Sequence, residues 1–172
     1  SLNTLKDFFS SSEDLKFLSA LKLRPEPGYY VSDIVNEQIR QERVLDALFH
    51  LPRPLILYVS TVADVERWFA LLKEMGFKSI AKIHGGTVNK DSVVKKWTAG
   101  DLDIVVGNSA FGLGIDYPHA RSIVHACIPE TLDRFYQEVG RAGRDGKKSI
   151  SVLLPSDEDL KIAKSLNETK LI

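Results

Sequence analysis

The segment "QEVGRAGRDG", residues 137–146, gathers two arginines and three glycines behind an apolar, helix-like run. Arg141 and Arg144 stand at i and i+3, so a helix continuing through them would put both guanidiniums on one face. A guanidinium is a planar, permanently charged fork suited to phosphate oxygens. Gly140 and Gly143 remove bulk beside them, although a glycine weakens a helix by about 1 kcal/mol. The pattern points to cations offered at close range to a polyanion. Phosphoryl transfer is one chemistry that uses such a group, because a positioned arginine stabilises charge in its transition state. A helix end that attracts cations would explain the arginines but not the glycines.

Three further stretches carry polar or pliable residues where strands should end. "GNSAFGLGIDYP" follows an apolar strand, and Gly107, Gly112 and Gly114 could bring backbone N–H groups to a phosphate. Asp116, its single acid, could accept from a ribose hydroxyl pair or serve as a turn residue. "HGG" at 84–86 either places His84 against a nucleic-acid phosphate or forms a plain turn. Ser60 and Thr61 could donate to a phosphate, but helix capping suits them better. Lys95 and Lys96 read as a solvated helix face, and Trp68, Trp97 and Phe135 as core. What is missing also counts. The chain has no G-x-x-x-x-G-K-[ST] and no acidic run after a strand to hold Mg²⁺, so it cannot be a complete NTPase.

The elements that must position these residues alternate regularly from residue 54 onward. Strands are expected over 54–60, 78–84, 103–108, 121–128 and 148–154, with helices over 61–76, 89–100, 131–142 and 156–168. Val65, Trp68, Phe69 and Leu72 form one helical stripe, Thr131 is a cap, and Ser156 with Asp159 a capping arrangement. Ahead of them come a helix over 10–22, a proline-rich break at "LRPEPGYY", a strand over 29–35 and a helix over 36–51. In that last helix Ile39, Leu45, Leu48 and Phe49 are expected to face inward. Such alternation means a parallel sheet covered by helices on both faces, with ligands beyond the carboxyl ends of its strands.

The bulk numbers allow one domain with a sizeable core: 172 residues, 44% hydrophobic and 27% charged. With 23 basic and 23 acidic residues the net charge is zero, so attraction to nucleic acid must be local. The single cysteine, Cys127, excludes a disulfide framework and a cysteine-based zinc site, and a reducing, intracellular home is expected. There is no membrane-spanning run and no signal peptide. The chain begins with Ser1, and is expected to be processed or excised from something longer.

Taken together, "VVGNSAFGLGIDYPHARSIVHACIP" and "RFYQEVGRAGRDG" closely resemble motifs V and VI of superfamily 2 helicases, specifically the RecQ family. "LILYVST" looks like motif IV, and "IHGGTVNKDSVVKKWTAGDLDIVVG" fits the stretch between. The resemblance implies the second of two RecA-like domains, a three-layer α/β fold with a mainly parallel sheet. ATP and Mg²⁺ would be bound mainly by the first RecA-like domain, with single-stranded or partly duplex DNA crossing the top of both. RNA is not excluded, and no membrane partner is implied.

Carried over by position, Arg144 would be the finger on the γ-phosphate, with Arg141 beside it and Gln137 coupling the site to motion. Asp116 and Gly114 would line the nucleotide cleft. Ser60, His84, Gly85, Asn108 and Ser109 would lie along the nucleic-acid track. Asn108 stands where the family usually has threonine. Residues 1–28 would hold the tail of the first domain and the linker, and 29–172 the second domain. One cysteine cannot build the zinc-binding subdomain found in many RecQ proteins. The fragment alone would be inactive, and the family implies 3′-to-5′ travel for the whole. The alternative is a non-catalytic RecA-like module that binds nucleic acid or protein; Arg141, Arg144 and Gln137 favour the motor.

Overall fold

The computed structural model describes residues 24–109 and 119–161. The expected helix over 10–22 and the loop carrying Gly114 and Asp116 lie outside the described residues. The described chain forms β1 (Pro27–Val31), α1 (Glu37–His50), β2 (Leu55–Tyr58), α2 (Val62–Glu74), β3 (Ile80–Ile83) and α3 (Lys90–Ala99). It continues through β4 (Ile104–Gly107), β5 (Ser122–His125), α4 (Leu132–Val139) and β6 (Ser149–Leu153), and a further helix opens at residue 157.

The six strands make one sheet in the order β1-β6-β5-β2-β4-β3, every pairing parallel. Parallel strands covered on both faces read as continuous apolar runs rather than alternations. β2, β4 and β5 are accordingly buried along their whole length. Side chains alternate between two cores. Leu55, Leu57, Ile104, Val106 and Val124 meet Val44 and Leu48 of α1 and Val65, Trp68 and Leu72 of α2. On the opposite face Ile56, Tyr58, Ile83, Val105 and Ile123 meet Trp97 of α3 and Ala142, just beyond α4. The result is the three-layer RecA-like architecture expected from the sequence.

Local signals set the boundaries. Asn36 caps α1 through a bond from the Ile39 N–H, 2.9 Å, and Thr61 forms a reciprocal capping box with Asp64 on α2. Gly100 ends α3 in the left-handed region, at φ 81°. Two expectations need correction. The first strand spans 27–31 rather than 29–35, with Val35 making an isolated bridge to Ser156. The inward face of α1 is Arg40, Val44 and Leu48, while Ile39 and Phe49 are 40% and 52% exposed. Arg40 takes the inner position because its guanidinium pairs with Asp159 at 2.8 Å and with Glu37. Among the described residues no helix is long and apolar enough to cross a membrane.

Candidate functional site

Sheet register brings one group of expected residues together. Tyr58 pairs with Gly107, and Gly107 with Ile83, so β2, β4 and β3 end level with one another. Ser60, Asn108 and Ser109, and His84 and Gly85 therefore form a row at the carboxyl edge. Ser60 is exposed just ahead of the Thr61 cap, whereas Asn108 is nearly enclosed at 9% exposure.

His84 belongs to a turn. Its N–H donates to Thr87 Oγ1 at 2.9 Å, and the Thr87 N–H returns to the His84 carbonyl at 3.1 Å. Nδ1 accepts from the Gly86 N–H at 3.1 Å, so Nε2 carries the proton and donates to Glu66 Oε1, also at 3.1 Å. The Lys82 ammonium, bonded to Glu66, and then His84 hold that carboxyl below its ordinary range. With both ring nitrogens and the Gly86 N–H engaged, the exposed backbone of Gly85 is the part of this turn open to a ligand.

The arginine segment lies elsewhere. α4 stops at Val139, and the next residues tighten: the Arg141 N–H bonds Glu138 O at 3.2 Å and the Ala142 N–H bonds Val139 O at 3.1 Å. Gly143 then turns left-handed, at φ 67°, and its N–H reaches Ala120 O at 3.0 Å. The expectation of one shared helical face is thus corrected, because the helix ends before either arginine. Arg141 is half-buried with its guanidinium beside Tyr58, and Arg144 is exposed. Burial drives the Tyr58 phenol well above its usual value while the Arg141 charge pulls it back. Gln137 is exposed on α4.

The glycines also find a reason inside the domain. A Cβ on Gly143 would stand 2.8 Å from Lys147 O and 2.9 Å from Ser149 Oγ. Asp145 fastens the turn that follows: Arg121 Nη2 donates to its Oδ2 at 2.7 Å and the Lys147 N–H to its Oδ1 at 3.1 Å. The Arg121 contact, more than any other, holds the Asp145 carboxyl far below the carboxylate range. This turn sits at the amino ends of β5 and β6, since it bonds Ala120 and leads into Ser149.

α4 spans the distance between the two regions, starting beyond the carboxyl end of β5 and finishing at this turn. A buried polar group docks it to the sheet. The His125 ring stacks on Tyr58 at 5.2 Å and 15°, and His125 Nε2 meets Glu138 Oε2 at 3.0 Å. Arg134 Nε donates to the other Glu138 oxygen at 3.0 Å. His125 and Glu138 are 0% and 4% exposed. Reading the sequence for surface chemistry missed both. Their signal was present, a histidine inside the apolar run "SIVHACI" and a glutamate beside Val139. Cys127 is buried as expected, and burial pushes its thiol up to about 12 against the pull of the Ser60 hydrogen bond.

Residues 39–146 match the family described as "Helicase conserved C-terminal domain". The chain belongs to that family. This helicase C-terminal domain is 30% identical over 145 residues to the probable ATP-dependent DNA helicase RecS of Bacillus subtilis, covering 83% of the chain and 29% of that protein. It is 36% identical over 115 residues to the ATP-dependent DNA helicase RecQ of the same organism, covering 66% of the chain and 19% of that protein. It therefore spans less than a third of the length of either relative.

Among solved structures, Saccharomyces cerevisiae Dbp5 bound to RNA and ADP BeF3 superposes with a TM-score of 0.73 at 18% identity, covering 98% of the chain and 45% of that one. A DEAD box protein from the hyperthermophile Methanococcus jannaschii gives 0.71 at 20% identity, covering 97% and 46%. These two likenesses show the fold. The RecQ relationship rests on the sequence matches.

Proposed function

We propose that this domain is the C-terminal motor half of an ATP-dependent, RecQ-like DNA helicase. Residues ahead of β1 would carry the linker to a first RecA-like domain that holds ATP and Mg²⁺, the nucleotide supplying the phosphoryl bond whose hydrolysis drives movement. Arg144 would approach the γ-phosphate, and Arg141 would support it from its half-buried place beside Tyr58. The fit is one of charge and access, for Arg144 is exposed on a turn whose backbone is fixed by Gly143, Asp145 and Arg121. Gln137, exposed on α4, would face the same cleft. Asp116 and Gly114 are proposed for the nucleotide on the family's pattern alone.

Single-stranded DNA would run along the carboxyl edge past Ser60, Asn108, Ser109, Gly85 and His84, with the Gly85 N–H of the His84 turn donating to a phosphate. The observation that best supports the reading is the level ending of β2, β4 and β3, which sets these residues in one row. Phosphate contacts of this kind make binding salt-sensitive. The domain would work inside an intracellular protein that carries both motor halves.

The decisive experiment measures single-strand-stimulated ATP hydrolysis by a chain carrying both domains. Arg144→Ala is expected to lower kcat by about 10³-fold while nucleotide still binds. An unsubstituted two-domain chain that hydrolyses no ATP with any nucleic acid, or an Arg144→Ala variant as fast as its parent, overturns the reading. The non-catalytic binding module then takes its place.

A further inference from the structure

Arg24 lies just ahead of β1, yet its side chain is bound to the turn that follows α4. Nη1 donates to Gly140 O at 3.0 Å and to Ala142 O at 3.5 Å, and Nη2 to Gly143 O at 2.8 Å. Carbonyls at a helix C-terminus lack intrahelical partners and carry the negative end of the dipole, so a cation there satisfies both. The Arg24 guanidinium is held from behind by Glu26, 3.2 Å from Nε. Glu26 is fixed in turn, because its carbonyl accepts the Ser149 N–H at 2.9 Å and its Cβ lies 3.1 Å from where a Gly143 Cβ would stand. Two acceptors are shared: Gly140 O also receives Arg144 Nε at 3.0 Å, and Gly143 O the Gly146 N–H at 3.0 Å.

We propose that Arg24 is a positioning residue for Arg144. Its fork spans the Gly140 and Gly143 carbonyls and fixes the main chain from which Arg144 projects. Because Gly140 O takes both Arg24 Nη1 and Arg144 Nε, each at 3.0 Å, the clamp also fixes the carbonyl to which the Arg144 side chain is tied. The residue that would join the two motor halves is thereby clamped to the turn that would complete the ATP site. A lysine could not do this, since a single ammonium lacks the rigid pair of donors that bridges two carbonyls. The effect on catalysis rests on the motor reading above; the clamp itself does not.

Two measurements separate them. Hydrogen exchange on the 172-residue chain reads the clamp: Arg24→Ala is expected to speed exchange of the Gly143, Gly146 and Ser149 amides about tenfold and to leave β2 and β4 unchanged. Unchanged protection of the turn overturns the proposal. So does a loss spread evenly over all strands, which would make Arg24 a general stabiliser.

ATP hydrolysis by the two-domain chain reads the positioning. Arg24→Ala should lower kcat about tenfold with KM for ATP within about twofold, and Arg24→Lys should not restore it. An unchanged kcat, or a rise in KM alone, overturns the positioning role. An unsubstituted chain with no activity counts against the motor reading and against any catalytic part for Arg24, while the exchange result still decides the clamp.

Discussion

The carboxyl-edge row and the arginine turn are built by different means. Ser60, His84, Gly85, Asn108 and Ser109 come from three separate strand ends, brought level by the ladder between β2, β4 and β3. The ends of β3 and β2 are then finished by short-range bonds, the His84–Thr87 turn and the Thr61–Asp64 box. The arginine turn is one continuous segment, but distant groups hold it: Arg24, Ala120 and Arg121. In the row, the sheet supplies the geometry and local sequence the detail. In the turn, the order is reversed, and long-range polar contacts fix a shape that the local sequence only permits.

The sharpest way to break this contrast is at the joint between the regions. Glu138→Ala strips the acceptor from both His125 and Arg134 in a buried setting, and should lower the unfolding free energy by about 3 kcal/mol in urea titration. A loss under 1 kcal/mol would mean that apolar packing alone docks α4. Next comes a matched pair of glycines. Gly143→Ala meets a positive φ and two oxygens under 3 Å away, and should cost about 2 kcal/mol. Gly85→Ala, with nothing within 4 Å, should stay within about 0.5 kcal/mol. Equal costs at the two sites would erase the distinction.

The smallest effect concerns acid. Asp145 has a depressed folded-state pKa, so its stabilisation is whole above the unfolded carboxylate value of about 3.9 and fades as pH falls below that. The stability gap between the unsubstituted chain and Asp145→Asn should therefore narrow between about pH 5 and pH 2. A gap independent of pH would assign Asp145 a purely steric role.

The alternation of apolar strands with striped helices was legible in the sequence because buried parallel strands and α2 need no distant partner to declare themselves. Thr61, Gly100 and Thr131 act as the local rules expect. The α1 face was misread at Ile39 and Phe49 because Arg40 is a buried charge, and its partner Asp159 lies 119 residues away. The same blindness hid the end of α4. "GRAGR" is compatible with another helical turn, and Ala120, Glu26 and Ser149 decide otherwise. His84 is open to two readings in the sequence; the Gly86 N–H on Nδ1 makes its ring part of a turn, and Glu66, 18 residues back, ties that ring to α2.

The pairing of β1 with β6 has a consequence for biosynthesis. β1 leaves the ribosome before the other described strands, but its one neighbour among them, β6, is the last to emerge. Until then "PGYYV" has no edge to join, and Tyr30 and Val31 stay largely exposed even after docking. Contacts so distant in sequence form late, after nearer ones have shortened the intervening loop. The Arg24 clamp, reaching across 119 residues to Gly143, can close only when β6 has been made and paired. A correctly set arginine turn is thus a mark that β6 is in place, and a chain truncated before residue 149 would display Arg144 without the Glu26–Ser149 bond behind the Arg24 clamp.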